Sequence, residues 1–151
     1  ALLTGCGADP HVLVSYDNTV AAMRVLIDDH ASTTSASSSM EEIEATEADY
    51  QSGWNTLSDD KADEMAIMEG CTMERGKGNA VDMGMMDDAH TSIEAMNHDM
   101  STHMADHAEH TELAQCQTEE SDHQSVMDAM LDDMASYSDD WRGQRMSCPE
   151  S

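Results

Sequence analysis

The sequence contains no phenylalanine, and aromatic residues of any kind make up only 3% of its 151 residues. A large hydrophobic core therefore has to be built from aliphatic and thioether side chains. The 15 Met residues are a large part of that stock, and Met fills irregular gaps because its side chain is flexible. No run of about 20 consecutive apolar residues occurs, so no segment has the composition of a membrane-spanning helix.

Basic residues are the second shortage. The chain has 6 Lys and Arg against 32 Asp and Glu, a formal net charge of −26. Such a chain repels nucleic acids and anionic lipid surfaces, and it attracts metal cations and basic protein partners. Acidic surfaces also keep exported proteins soluble and are a halophilic adaptation, and the composition leaves these explanations open.

Several motifs that would indicate catalysis are also missing. The sequence contains no GxSxG, Walker A or GxGxxG pattern and no CxxCH haem-attachment site. Cys71, Cys116 and Cys148 show no CxxC spacing. We therefore expect a binding protein rather than an enzyme.

The stretch from Met83 to Cys116 is the most informative part of the chain. It contains no Pro and no Gly after Gly84, so nothing in it would break a helix. Apolar and imidazole side chains recur in it every three or four residues: Ala89, Ile93, Met96, Met100, His103, His107, His110 and Ala114. This seam predicts a helix packed in a bundle, with thioethers along its first half and imidazoles along its second.

Three other stretches have the same helical spacing. The predicted helices run from Asp9 to about Ala31, from Ser38 or Ser39 to Gly70, from Met83 to Cys116 and from Thr118 to Gly143. Short connections between four amphipathic helices predict an all-α fold, an antiparallel up-down-up-down four-helix bundle, with no strand. The bundle would cover residues 9–142, between an N-terminal segment of residues 1–8 and a tail of residues 143–151.

Antiparallel topology brings the turn after the first helix and the turn after the third helix to the same end. The candidate metal ligands near that end and in the adjoining thioether layers are His30, Met96, Met100, His103, His107, His110, Cys116, His123 and Met127. Imidazole and thioether donors favour copper, as Cu(I) or, at the His-rich end, Cu(II), with zinc or iron as alternatives. A Met stripe at helical spacing also fits an ordinary core, so a structural or accessory subunit remains an alternative.

The N-terminal sequence Leu3-Thr4-Gly5-Cys6 resembles the lipobox of bacterial lipoproteins. The resemblance implies acylation of Cys6 and a location in the cell envelope, in the periplasm or at the outer membrane, where the lipid is the only membrane contact. The Met/His-rich acidic composition of residues 65–134 broadly resembles periplasmic copper-binding and copper-tolerance proteins. That likeness implies sequestration, storage or delivery of the metal.

A second resemblance concerns iron. His103-x3-His107 and His123-x4-Asp128 resemble the ligand pairs on two helices of hemerythrin-like di-iron bundles. In that family the second helix supplies an HxxxE pair, whereas the second helix here has no His, which removes a ligand and the bridging carboxylate. A hemerythrin-like protein is therefore the minor alternative.

The bundle topology also bears on the cysteines. Cys71 and Cys148 fall nearer one end of the predicted bundle, where they could form a disulfide in an oxidising compartment. Cys116 falls at the opposite end, as a free thiol or a thiolate ligand.

Overall fold

The computed structural model describes residues 9–73, 79–80 and 83–149. Its helices are α1 (His11–Ala36), α2 (Met40–Met68), α3 (Met83–Glu109) and α4 (Leu113–Gly143). Helix α1 packs against α2 and α4, and α3 packs against α4 and α2. The predicted all-α four-helix bundle is confirmed. The proposed lipid-attachment residue Cys6 and the rest of residues 1–8 lie outside the described residues.

Helix α1 is longer than the sequence predicts and continues through its Ser/Thr-rich end to Ala36. Two hydroxyls there bond back onto the helix: Thr33 Oγ1 donates to the Asp29 carbonyl at 2.8 Å, and Ser37 Oγ donates to the Thr33 carbonyl at 2.9 Å. Such bonds occupy hydroxyls that would otherwise compete for the backbone. Helix α2 then begins as predicted, with the Glu42 N–H donating to Ser39 Oγ.

The turn between α3 and α4 differs from the prediction, because it falls between Glu109 and Leu113 rather than at Gln117-Thr118. The Glu112 N–H donates to Gln115 Oε1 at 3.2 Å and closes the first turn of α4. Thr118 lies inside the helix, where its hydroxyl donates to the Ala114 carbonyl. A helix that began at Thr118 would hold Glu119 and Glu120 in its first turn; because α4 begins at Leu113, they lie beyond its first turn.

Three two-residue strands were not predicted. They are β1 (Thr72–Met73), β2 (Asn79–Ala80) and β3 (Met146–Ser147), and β1 pairs antiparallel with both β2 and β3. The Cys71–Cys148 disulfide that the topology suggested is present beside them. It ties the chain after α2 to the chain after α4, at the end of the bundle away from the α1–α2 and α3–α4 turns.

The core changes character along the bundle axis. Its buried apolar members include two tryptophans and a large set of methionines: Met23, Trp54, Met65, Met68, Met86, Met96, Met100, Met127, Met134 and Trp141. Toward the α1–α2 and α3–α4 turns several buried side chains are ionisable, and a separate buried pair, Lys61 and Glu64, lies in the other half of α2. Within the described part of the chain, no helix has the length and hydropathy needed to cross a membrane.

Candidate metal centre

Each of the four helices contributes one buried ionisable side chain near the α1–α2 and α3–α4 turns. They are His30 on α1, Glu47 on α2, His103 on α3 and Glu120 on α4, which we call the four-helix group. Their exposed fractions are 3%, 8%, 1% and 2%. Charged side chains are rarely this deeply buried unless they are paired or bind a metal.

The donor atoms of the four-helix group converge on one point. The His30 and His103 Nε2 atoms lie 3.3 Å apart. His30 Nε2 is 3.0 Å from Glu47 Oε1 and 2.9 Å from Glu120 Oε2. His103 Nε2 is 2.9 Å from Glu47 Oε2 and 3.5 Å from Glu120 Oε2. A tetrahedral ion with bonds of about 2.0–2.2 Å sets its ligand atoms roughly 3.3–3.6 Å apart, so these donors need little movement to share one.

A second set of donors adjoins the first. His103, His107 and Glu119, which we call the α3–α4 group, also bring ligand atoms close together. Glu119 Oε1 is 2.9 Å from His103 Nδ1, and Glu119 Oε2 is 2.5 Å from His107 Nε2. Because His103 and His107 are four residues apart on α3, their rings lie on one helix face, with centroids 4.3 Å apart.

Many of these donor atoms form ion-pair contacts that do not have the geometry of a hydrogen bond. Among the described residues, no hydrogen-bond partner satisfies Glu47 Oε1, either oxygen of Glu120, either ring nitrogen of His107, or Glu119 Oε2, all of which are buried. Buried polar atoms without partners are costly and uncommon in folded proteins. A cation bound between these oxygens and nitrogens would satisfy both kinds of atom at once.

Electrostatics in the cluster favours imidazolium and carboxylate forms when no metal is bound. Burial lowers the pKa of His103, but its bonds to Glu119 and Glu47 outweigh burial and raise the pKa to about 10. The same opposing effects raise the pKa of His107 to about 9. Burial acts to raise the pKa of Glu47, but its imidazole partners hold it well below its usual range. A metal would therefore replace ring protons, and its binding would release protons.

Tyr50, His123 and Asp99 support the cluster from one side. The Tyr50 ring stacks on His30 with centroids 3.8 Å apart. The Tyr50 hydroxyl lies 2.8 Å from His123 Nε2, and His123 Nδ1 lies 2.6 Å from Asp99 Oδ2. Burial and the neighbouring His103 lower the pKa of His123, which favours the neutral ring that accepts from Tyr50 and donates to Asp99. These contacts fix the orientation of the imidazole rings in and beside the four-helix group.

The metal ligands predicted from the sequence lie in three places: in the two donor groups, beside these groups, and among buried sulfur-containing side chains. His30, His103 and His107 belong to the two donor groups. His123 stands beside them with both ring nitrogens engaged, and the His110 ring lies 5.9 Å from that of His107. The sulfurs belong to neither donor group: Cys116 Sγ is 3.9 Å from Met40 Sδ, and the remaining predicted ligands belong to the hydrophobic core, namely Met96, Met100 and Met127.

Sequence reasoning missed the carboxylates Glu47, Glu119 and Glu120. A signal was present, because Glu47 occupies a core position between Ile43 and Tyr50 at the spacing of the α2 seam. Glu120 occupies the equivalent position in α4, four residues after Cys116 and three before His123. An acidic residue at a seam position is buried with the seam, and this indicates a paired or metal-binding carboxylate.

The structure alters two points of the resemblance to hemerythrin-like ligand pairs. Glu47 supplies a carboxylate from α2, where the sequence analysis expected none. Asp128, the acidic member of the His123-x4-Asp128 pair, instead lies 3.7 Å from the Arg24 guanidinium.

Together, the fold and the site define a four-helix-bundle protein with a buried His/Glu cluster that could hold a metal ion. Comparisons with protein-family models, with curated proteins and with solved structures find no match.

Proposed function

We propose that this protein binds a divalent first-row transition-metal ion at the four-helix group and serves in metal sequestration, storage or delivery rather than catalysis. The observation that carries the proposal is the convergence of two imidazole nitrogens and two carboxylates from four different helices. The pairwise distances given above for these donors run from 2.9 to 3.5 Å in a buried site. Residues far apart in sequence meet there because the bundle holds them in place.

The donor chemistry narrows the choice of metal. Imidazole and carboxylate suit Cu(II), Zn(II) and Fe(II), whereas Cu(I) prefers thiolate and thioether sulfur. The four donors are nitrogen and oxygen, so the oxidised form of copper fits this group better than Cu(I). Affinity among divalent ions generally peaks at copper, and we propose Cu(II) as the tightest binder, with zinc and iron as alternatives.

The charge of the chain supports a cation as the ligand. A net charge of −26 concentrates cations near the protein surface and speeds their arrival. The same charge disfavours nucleic acids and anionic membranes, so we propose no partner of either kind; a basic protein that receives the metal would fit the charge.

The proposed location is the cell envelope, with Cys6 as the lipid-bearing residue. The lipobox-like sequence Leu3-Thr4-Gly5-Cys6 supports this, and the Cys71–Cys148 disulfide fits an oxidising compartment. The test is metabolic labelling with a radioactive fatty acid in a bacterial host. The wild-type chain should incorporate label and the Cys6→Ser variant should not; an unlabelled wild-type chain would contradict the anchor.

Metal content after purification tests the function itself. The wild-type protein is loaded with Cu(II), desalted and assayed for copper by elemental analysis, beside the variants His103→Gln and His98→Gln. His98 is the matched control because it lies on the same helix and is exposed. We expect bound copper in the wild type and the control, and loss of copper in His103→Gln.

The opposite results would identify the alternative. A wild-type protein that retains no metal, and whose thermal unfolding is the same with and without a chelator, would be a structural or accessory subunit. Its His/Glu cluster would then be an internal ion-pair network only.

A further inference from the structure

We infer that the centre is dinuclear, with a second divalent ion bound by the α3–α4 group beside the first. This inference rests on the proposed function, because a dinuclear centre requires that the four-helix group also binds an ion. Beyond the proposed function, it assigns Glu119 and His107 as ligands of a second ion and His103 as a ligand of both ions.

Glu119 is placed as a ligand rather than as a simple counterion. Its two oxygens contact two different rings, Oε1 at His103 Nδ1 and Oε2 at His107 Nε2. The three side chains offer donor atoms that all lie within 4.8 Å of one another. Since Glu119 belongs to α4 and the two histidines to α3, the group spans the interface between these helices.

One side chain offers a donor atom to each group. His103 points Nε2 at Glu47 and Nδ1 at Glu119, so each of its nitrogens faces a different donor set. Glu47 lies between the groups but belongs to the first, because Oε2 contacts His103 Nε2 and Oε1 contacts both His30 Nε2 at 3.0 Å and His107 Nδ1 at 3.1 Å. A ligand with one donor atom in each set is the usual requirement for a bridged pair of ions, and His103 meets it.

His107 provides an independent indication of a ligand at this position. Its exposed fraction is 8%. Its ring nitrogens contact carboxylate oxygens, Nδ1 at 3.1 Å from Glu47 Oε1 and Nε2 at 2.5 Å from Glu119 Oε2, but neither contact has the geometry of a hydrogen bond. A single ion in the four-helix group would leave His107 and Glu119 as an ion pair, whereas a second ion between His107 Nε2 and Glu119 Oε2 would coordinate both atoms.

The charges of the side chains can accommodate two ions. The two groups contain three carboxylates, on Glu47, Glu119 and Glu120. One divalent ion together with a protonated His107 would balance them. Two divalent ions would be balanced if His103 gave up both of its ring protons to solvent, because the three carboxylates and the resulting imidazolate together carry the charge of two such ions.

The test is a titration of the metal-free protein with Cu(II), followed by elemental analysis and electron paramagnetic resonance. We compare the wild type with Glu119→Gln and with Glu109→Gln, an exposed control near the end of α3. The wild type and the control should bind two equivalents, and the second equivalent should diminish the isolated-ion signal through magnetic coupling. Glu119→Gln should bind the first equivalent normally and the second at least roughly 100-fold more weakly.

The possible failures can be told apart. One bound equivalent in the wild type, with an uncoupled spectrum, would overturn the second ion and leave the proposed function intact. Two tightly bound equivalents in Glu119→Gln would overturn the assignment of that ligand. No bound copper in any variant would overturn both proposals. The wild-type spectrum decides the first point even if the Glu119→Gln variant fails to fold.

Discussion

Replacing Glu47 by glutamine is the sharpest perturbation of this centre, because one carboxylate contacts three imidazoles. Its oxygens lie 3.0 Å from His30 Nε2, 2.9 Å from His103 Nε2 and 3.1 Å from His107 Nδ1. Glutamine has the same shape and leaves no cavity, but it removes the negative charge and turns one acceptor into a donor that faces imidazole nitrogens.

We expect Glu47→Gln to have two measurable effects. Loss of a partner to a metal-bound histidine costs about 10-fold to 100-fold in affinity. Loss of a direct ligand should exceed that, so Cu(II) affinity should fall more than about 100-fold, or roughly 2.7 kcal/mol. In the metal-free protein the variant removes one carboxylate from each of three buried imidazoles, which keep Glu119 or Glu120 as a partner, and the free energy of unfolding should fall by about 3 kcal/mol.

Competition with a chromophoric chelator measures the affinity, and denaturant unfolding of the metal-free protein measures the stability. The matched control is Glu44→Gln, three residues earlier on α2 and exposed, which removes the same charge without touching the centre. The reasoning is refuted if Glu47→Gln binds Cu(II) as tightly as this control, because no ion could then rely on that carboxylate.

Three further predictions concern the surroundings of the centre. Tyr50→Phe keeps the ring that stacks on His30 but loses the contact with His123, so chelator competition should show metal affinity about 10-fold weaker. Replacing Cys71 and Cys148 by serine removes a disulfide that joins residues separated by 77 positions in the sequence. Denaturant unfolding should show that the free energy of unfolding falls by about 4 kcal/mol. The metal affinity of the His/Glu cluster, at the opposite end of the bundle, should not change. In the metal-free protein, NMR titration should show that His103 stays protonated until about pH 10. Because folding raises the pKa of His103 from 6.5, the protonated ring stabilises the folded state fully below pH 6.5. This stabilisation is lost as the pH rises through about 10.

The fold was predictable because four stretches carry apolar residues at helical spacing and are separated by short polar connections. The topology followed, and with it the meeting of His30 and His103, whose nitrogens lie 3.3 Å apart although 73 residues separate them in sequence. The α3–α4 turn lies earlier in the chain than predicted, because Thr118 is a typical helix-capping residue and the predicted fourth helix begins there, whereas α4 begins at Leu113. A Thr hydroxyl bonds equally well to a carbonyl inside a helix, as it does here with Ala114.

The carboxylate half of the centre was less accessible to sequence reasoning. With 32 acidic residues in the chain, the three that meet in the His/Glu cluster do not stand out by residue type. A helix that began at Thr118 would hold Glu119 and Glu120 in its first turn, where acidic residues suit the helix dipole without any metal. The small sheet could not be foreseen, since two-residue strands are too short to show an alternating pattern.

The sequence and the structure indicate different metal ligands: the sequence favours sulfur atoms as well as imidazoles, whereas the structure brings nitrogen and oxygen atoms together. Met96, Met100 and Met127 were expected to bind a soft ion, and in the structure they are buried in the hydrophobic core. The converging donors of the centre are nitrogen and oxygen. A metal bound by the methionines and a metal bound by the His/Glu cluster would differ in their nearest neighbours.

X-ray absorption at the copper edge of the loaded wild-type protein distinguishes these neighbours directly. Binding by the His/Glu cluster predicts a first shell of nitrogen and oxygen atoms at about 2.0–2.2 Å, with the outer-shell pattern of imidazole rings. A first shell dominated by sulfur at about 2.3 Å would place the ion among the thioethers and thiol and would contradict the assignment of the centre.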